Sequence, residues 1–261
     1  MRISIVMAYH DRPRQLYNTL MSLSLSKVKD FEVIIVDDGS PQDVVTHICE
    51  TYFPQLRVFV HRIPLKDKWW INPCIPYNRG FKQARGDIII IQNPESIHFS
   101  GDILDYVASS TKPGEYTSFA CYSTTEQQYL NHFLPLSTET SSEGFLKRVS
   151  DGILPLQRDQ WYNHPQYLPK AYHFCSAIYH QDLLDIGGGF DERFAQGYCF
   201  DDDEFITRIR NSKLKVCMPP TSFGFVVHQW HAKNSKYSGA CPEWKENLQL
   251  FNHIKLLKGW R

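Results

Sequence analysis

The chain has 261 residues, 42% of them hydrophobic, enough to bury a sizeable core and to exclude a disordered chain. Its 28 Lys and Arg balance 28 Asp and Glu, which argues against a general nucleic-acid binder, whose affinity comes from a basic surface. Aromatic residues reach 14%, with 14 Tyr and 6 Trp, and such amphipathic rings line sugar or base sites as well as filling cores. No apolar run approaches the ~18 residues of a membrane span, and His10, Asp11 and Arg12 arrive too early for a secretory leader. Seven scattered cysteines without a C-x-x-C pair give no disulfide framework or structural zinc site, so a reduced, cytoplasmic chain is expected.

Apolar runs alternate with helical periodicity through the first ~100 residues, as in an α/β fold with a mainly parallel central sheet flanked by helices. Ile3–Tyr9 is predicted as a strand, and Pro13 opens a helix with Leu16, Leu20 and Leu23 on one face. A buried strand, Phe31–Val36, runs into Asp37-Asp38-Gly39-Ser40. A short helix from Pro41 is expected to turn Val44, Ile48 and Tyr52 inward, before a strand at Arg57–Val60. Tyr77–Ala84 reads as helix, and Asp87–Gln92, with four consecutive isoleucines, as a central strand. Ile103–Val107 then suggests helix and Tyr116–Tyr122 strand. Leu134–Lys170, rich in Ser, Thr, Pro, Gln and aromatics, reads as an insertion or lid with some helix around Gly144–Val149. A strand at Phe174–Tyr179, a glycine triplet at Gly187–Gly189, an acidic helix start at Asp201–Glu204, a strand at Phe223–His228 and an amphipathic helix over Pro242–Leu257 complete the pattern. The expectation is one domain: a nucleotide-binding half over 1–100, an acceptor and catalytic half over 101–261, and a lid-like insertion over roughly 123–172.

In open α/β sheets ligands sit at the carboxyl ends of strands. Three predicted strands end in polar clusters there: Ala8-Tyr9-His10-Asp11, Asp37-Asp38-Gly39-Ser40 and Asn93-Pro94-Glu95. An Asp in such a place can accept from the N3–H of uracil and a Tyr can stack on the base; Asp-Gly-Ser-Pro is equally good turn chemistry. Asp201-Asp202-Asp203-Glu204 suits the positive end of a helix dipole. Four acids are more than a cap needs, however, and a carboxylate is what takes a proton from a hydroxyl. Trp69-Trp70, Trp161-Tyr162, Tyr198 and Trp230 can stack on sugars or pack the core, and Lys233 and Lys236 can meet a diphosphate or solvent.

Four segments in order, Ile3 to Arg12, Val33 to Ser40, Asn78 to Asp87 (N-x-G-x-x-x-A-x-G-D) and Gly188 to Phe205 (G-G-F-D-E, then D-D-D-E-F), resemble family-2 glycosyltransferases with the GT-A fold. The last block also resembles galactosyltransferase-like enzymes. The resemblance implies inverting, metal-assisted transfer from a UDP-sugar to a hydroxyl of a glycan, protein or lipid-linked acceptor. The balanced charge and the lack of a long apolar run lead to the expectation of no nucleic-acid partner and no transmembrane segment, with peripheral membrane contact left open. The resemblance further implies that Asp38 binds uracil between Ala8 and Tyr9, with Asn78 and Arg79 near the nucleotide. The family's metal-binding D-x-D is replaced here by Asn93-Pro94-Glu95, leaving the Glu95 carboxylate and a neutral oxygen from Asn93. His228 matches the family's late metal-binding histidine; His231 follows three residues on, and His98 stands three after Glu95. With imidazole in the set, Mn²⁺ is favoured over Mg²⁺. Alignment on the acidic block makes Asp202 the expected general base, with Asp203 second. The alternatives are a nucleotidyltransferase, for which no Gly-rich phosphate loop is visible, and a non-catalytic sugar- or nucleotide-binding module with a degenerate metal site.

Overall fold

The computed structural model describes residues 2–139, 141–232, 239 and 241–260. Strand β1 (Ile3–Tyr9) leads through α1 (Pro13–Ser24), β2 (Phe31–Asp38), α2 (Val45–Tyr52), β3 (Val58–Ile63) and α3 (Cys74–Gln83) to β4 (Ile88–Gln92) and β5 (Ser96–Phe99). The second half runs α4 (Ile103–Ser110), β6 (Glu115–Ser118), β7 (Cys121–Ser123), α5 (Glu126–Gln128), α6 (Ser142–Ile153) and β8 (Trp161–Asn163). It continues through β9 (Cys175–Tyr179), α7 (His180–Asp185), α8 (Asp201–Arg210), β10 (Lys215–Cys217), β11 (Phe225–His228) and α9 (Pro242–Lys258).

Seven strands form the central sheet in the order β10-β6-β9-β4-β1-β2-β3, all parallel except β9, which runs antiparallel to both neighbours. Successive strand residues face opposite sides. Ile3, Ile5 and Met7 therefore join one core with α1, α2 and α4, while Val6, Ile34, Ile89 and Ile91 join another with α3 and α8. Cover on both faces is why the isoleucine run of β4 has no polar alternation.

A smaller sheet, β5-β11-β7-β8, stands beside the first. It explains why the expected single strand over Tyr116–Tyr122 is two: the chain leaves the central sheet after β6, crosses through buried Phe119 and Ala120, and enters the second sheet as β7. The pairing of β5 with β11 is antiparallel and sets His228 opposite Ser96, beside Glu95.

Three further expectations are corrected. Helix α2 begins at Val45, not Pro41, and its Tyr52 is 52% exposed. The segment expected as a lid buries Phe133, Phe145, Val149, Ile153 and Trp161 against the second sheet, and none of its described residues lines the main crevice. It buttresses the sheet instead of covering the site. Helix α9 is not amphipathic in the expected sense: its buried residues are Asn247 and Ile254, and Leu256 and Leu257 face solvent. Among the described residues no helix is long and apolar enough to cross a membrane.

Candidate active site

A crevice of about 710 Å³ opens at the carboxyl ends of β1, β2 and β4, the position where open α/β sheets take ligands. Its walls include Ala8, Tyr9, Asp38, Asn93, Glu95, Asp202, His228 and His231, so eight of the expected site residues converge from distant parts of the chain.

The paired aspartates at the end of β2 divide the two readings of their motif. Asp37 Oδ1 accepts the backbone N–H of Ser40 at 3.1 Å, closing the turn. Asp38, on the alternate face, lines the crevice. Its Oδ1 accepts the indole N–H of Trp70 at 2.8 Å, and its Oδ2 pairs with Lys68 Nζ at 2.6 Å. Ala8 is partly exposed beside it; Tyr9 is only 1% exposed, with its hydroxyl accepting the Arg12 backbone N–H at 3.0 Å. Tyr9 therefore forms wall and core, and offers a base no open ring face.

Glu95 is the centre of a second cluster. Its Oε1 lies 2.9 Å from Arg12 Nη1, 3.3 Å from His228 Nε2 and 3.4 Å from His231 Nε2. Burial would raise this carboxyl, but Arg12 and the hydrogen bonds from both histidines override it and hold Glu95 well below the usual carboxylate range. Ligand atoms of Glu95, His228 and His231 all lie within 4.8 Å of one another. Glu95 Oε2 and His228 Nδ1 are buried without a hydrogen-bond partner, a state that costs free energy unless something else satisfies them. One carboxylate and two imidazoles suit a divalent ion of the Mn²⁺ type, with phosphate and water completing its shell. Asn93 lines the same wall, its Oδ1 accepting from Tyr77 at 3.2 Å.

The third cluster is the start of α8. Asp201 is buried, its Oδ1 accepting from Asn72 Nδ2 at 2.7 Å. Asp202 lines the crevice, and its Oδ1 accepts the Asp203 backbone N–H at 2.9 Å. Burial, and then the negative charges of Asp201 and Asp203, hold Asp202 well above its ordinary range. Asp203, the second expected base, does not line the crevice; it accepts from the Tyr172 hydroxyl at 2.7 Å. The turn ahead of the helix is strained: Cys199 and Phe200 have φ of 62° and 67°, each costing about 1–3 kcal/mol for a non-glycine residue.

Other expected residues lie elsewhere. Asn78 is buried as a clamp, donating to Phe190 O at 2.8 Å and Glu192 at 3.0 Å while accepting from Phe190 N at 2.8 Å. A Cβ on Gly189, whose φ is 146°, would fall 2.3 Å from its amide oxygen, so this contact joins two of the sequence motifs. Arg79 stacks on Trp70 at 5.1 Å, outside the crevice lining. His98 is a core histidine bonded to Gln92, and burial pushes it down to about 4. Trp161 is buried in the third core, Trp230 packs beside Tyr129, and only Tyr198 and Trp70 of the expected stacking rings reach the crevice. Lys233 and Lys236 lie outside the described residues.

Sequence reasoning missed Arg12, Lys68, Asn72 and His173, which also line the crevice. His173 sits among Tyr77, Phe190 and Phe205, and burial lowers it to about 4, so it is neutral at pH 7. Only Arg12 had a local signal, directly following the polar end of β1.

No curated protein matches the chain by sequence. Solved structures do share its architecture. S. aureus TarS 1–349 in complex with UDP-GlcNAc is 14% identical, with a TM-score of 0.62 over 98% of this chain and 67% of that one. A second structure of S. aureus TarS 1–349 is 15% identical, with a TM-score of 0.59 over 88% of this chain and 60% of that one. The mannosyltransferase PcManGT from Pyrobaculum calidifontis, in complex with GDP-Man and Mn²⁺, is 14% identical, with a TM-score of 0.54 over 89% of this chain and 58% of that one. At such identities the likeness is one of fold, the GT-A fold, and the chain spans between 58% and 67% of the length of these solved chains. The family model for glycosyl transferase family 2 matches residues 4–154, more than half of the sequence, from the second residue of β1 through β7. The chain therefore belongs to glycosyl transferase family 2.

Proposed function

We propose that this protein transfers a sugar from a UDP-sugar to an acceptor hydroxyl with inversion at the anomeric carbon, assisted by a divalent cation. The observation that carries the reading is the convergence of Asp38, the Glu95-His228-His231 donor set and the Asp202 carboxylate on one crevice. UDP and UDP-GlcNAc bound to TarS 1–349, and GDP-Man with Mn²⁺ bound to the mannosyltransferase, support a nucleotide-sugar donor and a metal. In this reading Asp38, oriented by Lys68 and Trp70, recognises the base from the end of β2. Glu95, His228 and His231 hold the cation, which when bound supplies positive charge for the departing diphosphate. Asp202 takes the proton of the acceptor hydroxyl as its oxygen bonds to the anomeric carbon; the bond from that carbon to the diphosphate oxygen breaks, and its electrons leave with UDP. Residues 1–100 thus carry the nucleotide and residues 101–261 most of the acceptor chemistry. A cytoplasmic location belongs to the same proposal and is supported by seven cysteines that are all free thiols.

The test is UDP release from a panel of UDP-sugars with Mn²⁺, with and without candidate acceptors. Thermal stabilisation first selects the sugar, since a ligand at 100 times its Kd adds about 2.7 kcal/mol. Acceptor-dependent UDP release abolished by EDTA is expected. Binding without turnover would make the chain a sugar-nucleotide binding module, and turnover unaffected by EDTA would remove the cation from the mechanism.

A further inference from the structure

We propose that Asn247, in the C-terminal helix and beyond the segment matched by the family model, is a positioning residue for Asp202; this rests on Asp202 being the base in the reading above. The turn that delivers Asp202 is held from outside. Cys199 and Phe200 adopt left-handed backbone, and Phe200 occupies the N-cap of α8 without any side-chain cap. A strained, uncapped turn relaxes unless its surroundings fix it.

Helix α9 does so. Asn247 Nδ2 donates to Cys199 O at 2.9 Å and to Phe194 O at 3.1 Å, so its two N–H groups grip both ends of the loop. The fit is close, because a Cβ on Gly197 would lie 2.3 Å from Asn247 Oδ1. The backbone N–H of Tyr198 donates to Glu243 O at 3.4 Å, and the Phe200 ring packs edge-on against Trp244 at 5.0 Å. Asn247 is 3% exposed in a helix whose only other buried residue is Ile254. A buried amide with both donors on the loop carbonyls is suited to fixing that loop, and Asp202 follows Cys199 by three residues in the first turn of α8. Displacing a reacting group by about 1 Å can cost up to 10²-fold in rate.

The experiment is Asn247→Ala, read as UDP release from the selected UDP-sugar and acceptor, beside UDP titration and thermal melting. The expected result is a loss in kcat of about ten-fold or more, with KM for the UDP-sugar and UDP affinity unchanged. Added to Asp202→Asn, the same substitution should cost nothing further, because no base remains to be aimed. A wild-type rate, an equal loss in both backgrounds, or a loss that disappears at a temperature where the variant is fully folded would overturn the proposal. Should Asn247→Ala fail to fold, Trp244→Leu trims the outer contact with Phe200. It should give a smaller kcat loss with the same dependence on Asp202, and no loss or an additive one counts against the clamp. Full activity in Asp202→Asn would instead remove the base assignment itself. An inactive Asp202→Asn beside a fully active Asn247→Ala removes only the clamp.

Discussion

Arg12 and His228 contact the same oxygen of Glu95, at 2.9 and 3.3 Å. The guanidinium thus balances the carboxylate that a cation would use, and the two positive charges compete for it. Arg12→Gln is expected to tighten Mn²⁺ binding in the absence of nucleotide by about ten-fold, a modest share of the several kcal/mol between close charges at intermediate dielectric. Glu95→Gln should abolish that binding. Calorimetric titration of Mn²⁺ into the two variants checks both, and an unchanged or weaker affinity in Arg12→Gln would show that Arg12 does not oppose the ion.

Asp38 has two structural partners as well as its place in the crevice, so its substitutions should separate fold from binding. Asp38→Ala leaves the buried Trp70 indole N–H without its acceptor, at about 1–3 kcal/mol, and should lower both the melting temperature and UDP affinity. Asp38→Asn can still accept from Trp70 through its amide oxygen. It should melt near the wild type and bind UDP less tightly. Equal UDP affinity for wild type and Asp38→Asn would take the base away from Asp38.

The site was legible wherever a chemical residue followed a strongly patterned strand. Asp38 at the end of β2, Glu95 after β4 and His228 at the end of β11 are of this kind, because a strand fixes both the end from which its polar residues emerge and the face they occupy. Lys68 and Asn72 belong to the irregular stretch between β3 and α3, where no periodicity says which way a side chain turns. Asn78, expected near the nucleotide, sits on helix α3 with its amide turned toward Phe190. The lid expectation rested on a composition rich in Ser, Thr, Pro and Gln, which conceals the anchors Leu136, Phe145, Val149, Ile153 and Trp161 spaced through the segment.

Because Phe145 is fully buried against the second sheet, Phe145→Ala should cost about 3–5 kcal/mol of stability. A mobile lid would lose almost nothing on the same substitution. Urea denaturation distinguishes the two, and a change below about 1 kcal/mol would return the segment to the role of a cover.

Asp202 gives the most discriminating prediction because its two possible roles move rate and stability in opposite directions. Burial first, then the carboxylates of Asp201 and Asp203, raise it well above the ordinary range. A base must be ionised to accept a proton, so kcat should fall as pH drops through this raised value, placing the acid limb above that of an ordinary carboxylate. Asp203→Asn removes one of the neighbouring negative charges. It should shift the limb to lower pH while leaving the plateau nearly intact. Asp202→Asn, which keeps an oxygen for the Asp203 backbone N–H, should lower transfer by about 10²–10⁴-fold on the plateau above the limb, with the difference shrinking below it as the wild-type base is protonated. For stability, an acid raised in the folded state contributes fully below its unfolded pKa of about 3.9 and loses that contribution as pH rises through the folded value. Above that raised value the wild type therefore carries an unfavourable charge that Asp202→Asn does not. The variant should melt higher than the wild type above that value, with the gap closing as pH falls toward the unfolded pKa of about 3.9. A variant that melts lower yet turns over normally would make Asp202 a helix-start residue and no base.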